Sequence, residues 1–478
     1  MLLINKTINQ KKKRGSSETE NRIWLEGHRF APYAKIGAGL KITDQNDEII
    51  IEFVEPDNTE ATRTVSKRNV RGTDAPLIEI NECNSAVLAA MSQDEMLRIV
   101  VKDNGIVIRA NKNTVACRQK EREERIINDV NLGNTIEKGS IFSGGGTLDH
   151  SGFEGFKRSG LSTVVRFAID NDGDCIENLA TNVKHVFDSR SMLIESDISL
   201  LNVGNGALPL VHILTLTPPC VDSCGAGKAK KGNKFETSKT AHLIYHYAQI
   251  IERTNPAYIL VENVPNFRNE VSFHLLTALL ESWGYNLQLR VINAHEDGFS
   301  LETRSRMFLV AESKGLESGF DLDSVKPLES PLTKLGQALD YVSEDASCWS
   351  PKTGLIAKQE RDLADGKGFR MQVYNDESIK IGTLRAQYQK SGSTDPLIAH
   401  PDSEKTLFRL LNKNEHARIK SLPESFVASW SNGTAHKFLG NGLDGMVAMS
   451  ISHDLGLAIL NLKTKVTSNT QRHELLAA

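Results

Sequence analysis

From residue 139 to about residue 311 the chain alternates between short apolar runs and amphipathic segments, and this alternation restricts the fold more than any other feature. Val164-Val165-Arg166-Phe167-Ala168-Ile169, Val211-His212-Ile213-Leu214-Thr215-Leu216 and Tyr258-Ile259-Leu260-Val261 have the length and β-branched content of buried strands. Residues 241–251 carry Ala241, Ile244, Tyr247 and Ile251 at the spacing of one helical face. Residues 273–283 read as a helix closed by Gly284, at a position that tolerates left-handed geometry. Strands alternating with helices imply parallel βαβ units, so the expected fold class is α/β with a doubly wound sheet. The pattern lapses between about 312 and 380 and resumes near the C-terminus, where residues 446–455 can form a helix.

The N-terminal part has a different character. Residues 1–22, with the cluster Lys11-Lys12-Lys13-Arg14, are expected to form a solvated, disordered tail. Residues 23–112 hold short β-rich runs such as Ile49-Ile50-Ile51-Glu52-Phe53 and Leu97-Arg98-Ile99-Val100-Val101, separated by turns such as Asp44-Gln45-Asn46-Asp47. They predict a small, mostly-β module. Residues 113–136 read as a charged linker, with 118–125 an exposed helix. The Trp24-Leu25-Glu26-Gly27 opening is faintly similar to swapped-hairpin modules of the AbrB type, which bind DNA or dimerise. A plain structural or protein-interaction module is the preferred reading.

Composition excludes some functions. A net charge of −3 provides no broadly basic surface, so nucleic-acid binding must come from a local patch. Six cysteines are scattered, and the Cys220/Cys224 pair lacks a second Cys or His pair, so a structural metal site is not expected. The cysteine usage, the lack of an opening signal peptide and the lack of a long apolar run predict a cytoplasmic protein with no membrane contact.

Four segments carry chemistry. In Ile141-Phe142-Ser143-Gly144-Gly145-Gly146-Thr147, an apolar start followed by glycines and a helix is either a tight turn or a turn that lets backbone approach a ligand. Asp170 closes the next strand, where nucleotide-binding sheets place a carboxylate against ribose hydroxyls. In Thr217-Pro218-Pro219-Cys220, two prolines stiffen the end of a buried strand, so Cys220 is either an inert core thiol or a positioned nucleophile. The loop after it carries Lys228, Lys230, Lys231 and Lys234: a solvated surface loop, or a basic lid over a phosphate backbone. Glu262-Asn263-Val264 ends another strand; its carboxylate is a cap, or a half-buried acid with a raised pKa. Arg304 and Arg306 alternate on an extended segment, forming surface ion pairs or aiming two guanidinium groups at one acceptor.

In order and in sum these motifs resemble the cytosine-5 DNA methyltransferases, in a divergent bacterial or phage-like form, over about residues 137–465. Phe142, Ser143, Gly144 and Gly146 match the family's cofactor loop, Asp170 its ribose-binding acid, and Asp197-Ile198 the pair that reads adenine. Pro219-Cys220 matches its catalytic PC, Glu262-Asn263-Val264 its ENV, and Arg304 and Arg306 its RxR. Gly382–Ala386 and residues 411–426 resemble its ninth motif, and Gly440-Asn441 its last. Four positions depart from the pattern: Thr217 replaces a glycine, Val221 and Glu302 replace glutamines, and Gly442 replaces a serine or alanine.

The resemblance implies a doubly wound mixed sheet of the S-adenosylmethionine-dependent type at 137–311 plus 430–465, with a target-recognition domain at 312–429. It implies S-adenosylmethionine as cofactor, held by Phe142, Ser143, Gly144, Gly146, Asp170, Asp197, Ile198, Pro219 and Asn441. Catalysis would rest on Cys220, Glu262, Arg304 and Arg306, on a cytosine flipped out of double-stranded DNA. A cognate restriction endonuclease is an implied partner. The expected state is a monomer, with dimerisation through the N-terminal module as the alternative. A transfer-RNA cytosine-5 methyltransferase and a catalytically weak DNA-binding relative are the competing functions.

Overall fold

The computed structural model describes residues 1–12, 17–91, 95–112, 114–201, 203–204, 207–219 and 240–463. The chain divides into two units, Met1–Arg118 and Gln119–Ala478.

The first unit is built from β1 (Leu2–Thr7), β2 (Asn9–Lys12), β3 (Thr19–Glu26), β4 (Gly39–Gln45), β5 (Glu48–Val54), β6 (Arg63–Thr64), β7 (Ser66–Val70), β8 (Thr73–Asn81), β9 (Met96–Lys102) and β10 (Gly105–Ala110), with one short helix, α1 (Ala86–Ala90). They form a six-stranded sheet ordered β1-β9-β10-β5-β4-β6 and a four-stranded sheet ordered β2-β3-β8-β7. Strand alternation explains the core. Leu97, Ile99 and Val101 of β9 and Ile106 and Ile108 of β10 are buried, and they join Ile23, Leu25, Ile78 and Ile80 of the other sheet. The expected disordered tail is replaced by strands over most of its described residues, while Lys13 and Arg14 lie outside the described residues. Leu2–Thr7 pairs antiparallel with β9 and Asn9–Lys12 with β3. The alternation Leu2, Ile4 and then Ile8 among polar residues supplies an inward face that a polar count over 22 residues hides.

α2 (Val115–Leu132) follows, and its residues from Gln119 onward belong to the second unit. It is not the exposed linker expected from its charges. Arg122 is 1% exposed. Its Nε donates to Ser313 Oγ at 2.8 Å and its Nη2 to the carbonyls of Trp283 and Gly284 at 2.8 and 2.9 Å. Its guanidinium also lies 3.9 Å from the centre of the Tyr285 ring. A charged side chain is tolerated there because hydrogen bonds and a ring face replace its hydration.

The second unit is organised by seven strands: β11 (Ile136–Ile141), β12 (Thr163–Asp170), β13 (Met192–Glu195), β14 (Ile213–Leu216), β15 (Tyr258–Asn263), β16 (Tyr285–Asn293) and β17 (Ser305–Ser313). Their order is β13-β12-β11-β14-β15-β17-β16. The pairings from β13 to β15 are parallel, whereas β17 runs antiparallel to both β15 and β16. The sheet is thus mixed and doubly wound, as expected. The chain moves from β11 to β12 on one side and later returns to β14 on the other, so the strand order reverses at β11. In such sheets a crevice opens at the carboxyl ends of the strands flanking that point.

Helices α3 (Thr147–Ser159), α4 (Gly173–Thr181), α5 (Leu243–Thr254) and α6 (Val271–Ser282) connect these strands. α7 (Thr353–Ala364), α8 (Lys413–Ile419), α9 (Asn432–Asn441) and α10 (Gly445–Leu460) follow. No single helix among the described residues is long and apolar enough to cross a membrane. α3 and α10 approach closely because both carry small residues where they cross. A Cβ on Gly155 would lie 2.2 Å from the Met449 carbonyl oxygen, and one on Gly456 would lie 2.1 Å from Ser159 Oγ.

Two expected boundaries move. Leu316, Phe320, Leu322 and Val325 pack into the core under α10, so the main body continues past residue 311. Ala417, Leu422, Phe426 and Val427 pack with Val165 and Leu179, so it also resumes well before residue 430. Between these stretches lie α7 and a small sheet of β18 (Val373–Tyr374), β19 (Leu397–Ala399) and β20 (Phe408–Arg409). The sequence boundaries fail because burial, not polarity, marks where a core ends.

Candidate active site

The crevice at the carboxyl ends of β11, β12, β14 and β15 is a cavity of about 310 Å³. Its lining includes Phe142, Ser143, Gly144, Asp170, Pro219, Glu262, Arg306 and Asn441, eight positions that the sequence motifs single out.

The loop after β11 makes one wall. Phe142 adopts φ 58°, Gly144 φ 54° and Gly146 φ 88°, so three residues of this turn lie in the left-handed region. Glycine takes that geometry without strain, and the non-glycine Phe142 is held by its surroundings. Thr217 Oγ donates to the Phe142 carbonyl, and the Phe142 ring packs edge-on against Tyr247 at 6.2 Å. Asp170 fastens the loop: its carboxylate accepts the Gly144 N–H at 2.8 Å and the Asp172 N–H at 3.0 Å. Burial raises the Asp170 pKa, and these backbone donors oppose the rise. A Cβ on Gly144 would meet nothing within 4 Å, so the backbone borders open space at Gly144, whereas Gly145 and Gly146 pack against Phe438 and Leu179.

These features fit S-adenosylmethionine: bare backbone for close approach, a carboxylate for hydroxyl donors, and an aromatic side chain. Gly146, Asp197 and Ile198 do not line the cavity. Asp197 caps a short turn, accepting from the Ser199 N–H at 2.8 Å and the Ser199 hydroxyl at 2.7 Å, which lowers its pKa. Ile198 is 4% exposed within the apolar core.

The opposite wall comes from β15 and β17. Glu262 lies directly across from Phe308, and Arg306 is two residues away on the antiparallel partner. Such diagonal neighbours share a face of the sheet. The Arg306 Nε sits 2.9 Å from Glu262 Oε1. Glu262 is 8% exposed. Burial pushes its pKa up, and Arg306, Arg304 and Lys420 pull it back in that order. Beside it, Asn263 Nδ2 donates to the Pro218 carbonyl at 2.9 Å and its Oδ1 accepts the Val264 N–H at 2.8 Å. The stiff Pro218-Pro219 segment is thereby tied to the strand that carries Glu262. Cys220 and the loop with Lys228, Lys230, Lys231 and Lys234 lie outside the described residues.

Arg304 and Arg306 do not converge on one acceptor. Arg304 precedes β17 and is 4% exposed. Its Nη2 donates to the Gly440 carbonyl at 2.7 Å and its Nη1 to the Leu384 carbonyl at 3.3 Å. It joins two late segments, which approach so closely that a Cβ on Gly440 would lie 2.2 Å from Ala386 N. Arg306 alone of the pair faces the cavity.

Three of the four departures from the family pattern have physical explanations. Thr217 gains the bond to Phe142, and a Cβ at Gly442 would come within 2.4 Å of Thr147 Oγ. Glu302 is fully buried against Lys420, which sequence patterning did not single out. Its Oε1 also accepts the Leu384 N–H at 2.7 Å. A lone lysine among alternating polar and apolar residues gives no sequence signal of its own burial. Val221 lies outside the described residues.

Comparison with known proteins agrees with this geometry. The type II methyltransferase M1.ScrFI of Lactococcus lactis subsp. cremoris is 28% identical over 253 residues, 52% of this chain and 61% of that protein. The type II methyltransferase M.NlaX of Neisseria lactamica is 27% identical over 268 residues, 55% of this chain and 81% of that protein. The solved structure of the Entamoeba histolytica methyltransferase EhMeth covers 67% of this chain and 98% of its own, with a TM-score of 0.53 at 16% identity, a likeness of fold. The family model for C-5 cytosine-specific DNA methylase matches residues 136–456, a span that holds every residue lining the cavity. The chain belongs to the C-5 cytosine-specific DNA methylases.

Proposed function

We propose that the cavity between the glycine loop and the Glu262–Arg306 pair is where this chain carries out its family's reaction, the transfer of a methyl group from S-adenosylmethionine to C5 of cytosine in DNA. The observation that carries the reading is the Glu262–Arg306 pair itself, 2.9 Å apart at the edge of a cavity whose other wall is the cofactor loop.

The residues divide the work. Cytosine C5 is a weak nucleophile, so the ring must first be activated. The Cys220 thiolate adds to C6, forming a C–S bond while the C5–C6 π pair moves to C5. Glu262, whose pKa burial raises, would give a proton to N3, which keeps the ring neutral. Arg306 orients Glu262 and hydrogen-bonds the O2 edge of the base. The bound cofactor supplies an electrophilic methyl group on a sulfonium sulfur. Phe142, Gly144, Asp170 and Asn441 would hold it in the cavity that they line. After transfer, water takes H5 as a proton, the C5–H pair restores the C5–C6 double bond, and the C6–S bond breaks with its pair returning to sulfur. Glu262 takes back the N3 proton. Arg304 acts as a positioning residue through Gly440 and Leu384. The base is flipped out of the duplex, at a cost on the order of a few kcal/mol.

Cys220→Ser is expected to abolish methyl incorporation into duplex DNA while cofactor binding persists. DNA containing 5-fluorocytosine is expected to trap a covalent adduct on the wild type and not on the variant. Near wild-type turnover by Cys220→Ser would overturn the assignment. Two relatives are named type II methyltransferases, which favours a cognate restriction endonuclease as partner. Bisulfite sequencing of DNA from a host expressing the protein would show the target sequence that such a partner must share.

A further inference from the structure

The N-terminal unit carries a second cavity of about 310 Å³, on the outer face of the six-stranded sheet and lined by charged side chains that include Asp47, Glu48, Arg98, Arg109 and Lys112. The sheet register explains its charge. Arg98 of β9 lies directly opposite Arg109 of β10, and Arg109 lies directly opposite Glu48 of β5. Like charges facing each other across a strand pair are destabilising. Glu48 answers only one of the two: it pairs with Arg109 at 3.1 Å. Arg98 Nε is shielded from solvent and has no hydrogen-bond partner among the described residues. Lys112, just past the end of β10, adds a third cation at the same opening, and Asp47 supplies the second carboxylate. The site thus has one cation in excess and an arginine whose shielded donor is unused.

We propose that this cavity holds a phosphodiester group of the DNA backbone, gripped by Arg98 and Lys112. The inference rests on the DNA reading of the catalytic unit. A guanidinium presents a planar fork of donors that suits phosphate oxygens, and ammonium groups add charge without demanding geometry. A chain with a net charge of −3 has no general attraction for DNA, so a local site of this kind is what its substrate requires. Phosphate contacts position a protein on the duplex without reading sequence. The site therefore contributes affinity and not target choice.

The test uses the full-length protein, with duplex DNA binding measured across a salt series. Arg98→Gln and Lys112→Gln are each expected to weaken binding by about three- to tenfold and to reduce the slope of log K against log salt by about 1. Turnover at saturating DNA stays at the wild-type level. Asp47→Asn is expected to tighten binding. Asp47 has φ 59°, and asparagine tolerates that left-handed geometry, so the turn survives. A gain in affinity cannot come from misfolding. Unchanged affinity and slope in Arg98→Gln overturns the proposal. So does a site that binds inorganic phosphate but leaves DNA affinity intact when Arg98 is replaced, which would make it a site for a free oxyanion. A wild type that methylates DNA while all three variants bind like it overturns this proposal alone. A wild type that transfers no methyl group to DNA overturns the catalytic reading instead.

Discussion

Lys420 Nζ lies 2.6 Å from Glu302 Oε2, with both side chains fully withdrawn from water. Burial and the neighbouring Arg304 push the Lys420 pKa down, while Lys420 and Arg304 outweigh burial and hold Glu302 below its usual range. The family's usual residue at position 302 is a neutral glutamine. A carboxylate there brings a charge into the interior, and Lys420 offsets it.

This pair makes a double-substitution prediction. Lys420→Met removes the nearer of two cations beside the buried Glu302, leaving Arg304 at 3.7 Å, and Glu302→Gln leaves the buried Lys420 without that carboxylate. Each is expected to lower stability by about 3–5 kcal/mol. The double variant Glu302→Gln/Lys420→Met is expected to recover most of that loss. Urea unfolding of the four proteins would measure it; strictly additive losses would show that the pair is not coupled.

The active-site carboxylate gives a pH prediction. Arg306 is the largest influence opposing the burial-driven rise of the Glu262 pKa. Arg306→Ala removes that opposition, so Glu262 keeps its proton to higher pH. The alkaline fall of kcat/KM, where Glu262 loses its proton, is expected to move to higher pH in the variant. Its maximum is expected to drop about 10²- to 10³-fold, because a donor to the developing charge is gone. A profile that moves toward lower pH, or does not move, would count against Glu262 as proton donor.

Acid stability follows from His212. The Glu137 N–H donates to its Nδ1 at 3.0 Å, so Nε2 must carry the proton, and it donates to Asp129 at 2.8 Å. Burial and Arg125 depress its pKa to about 4. An unfolded chain binds that proton near pH 6.5, so the folded state has the lower pKa. The associated stability is fully present above pH 6.5 and is lost as pH falls toward 4, with an upper figure of ~3 kcal/mol. His212→Gln removes the titration. The wild type is expected to lose more stability than the variant between pH 7 and pH 5, read by urea midpoints at each pH.

The crossing of α3 and α10 tolerates no larger residue at its centre. Gly155→Val places a Cβ where the Met449 carbonyl stands and is expected to cost about 3 kcal/mol or more. An unchanged melting temperature would show that the helices can separate without loss.

The ordered motifs identified most of the cavity wall because cofactor loops and strand ends have local signatures. Glycines at positive φ, a carboxylate closing a strand and prolines stiffening a strand end are written in neighbouring residues. Leu2–Thr7 form a strand because β9 pairs with them, and that partner lies about 90 residues away, out of reach of a local sequence pattern. Arg122 departs from the sequence expectation for the same kind of reason. Its charge suggested solvent, but acceptors from Trp283, Gly284 and Ser313 enclose it.

Hydrophobic periodicity and motif order, read from the chain alone, determined a doubly wound methyltransferase fold and named Glu262 and Arg306. Tertiary structure alone decided how the two arginines divide. Two residues apart in sequence, Arg306 reaches the cavity and Glu262, while Arg304 turns to the carbonyls of Leu384 and Gly440. Spacing assigns a side chain to a face of an extended segment. Which acceptors wait there depends on chain that arrives from 80 and 136 residues further along.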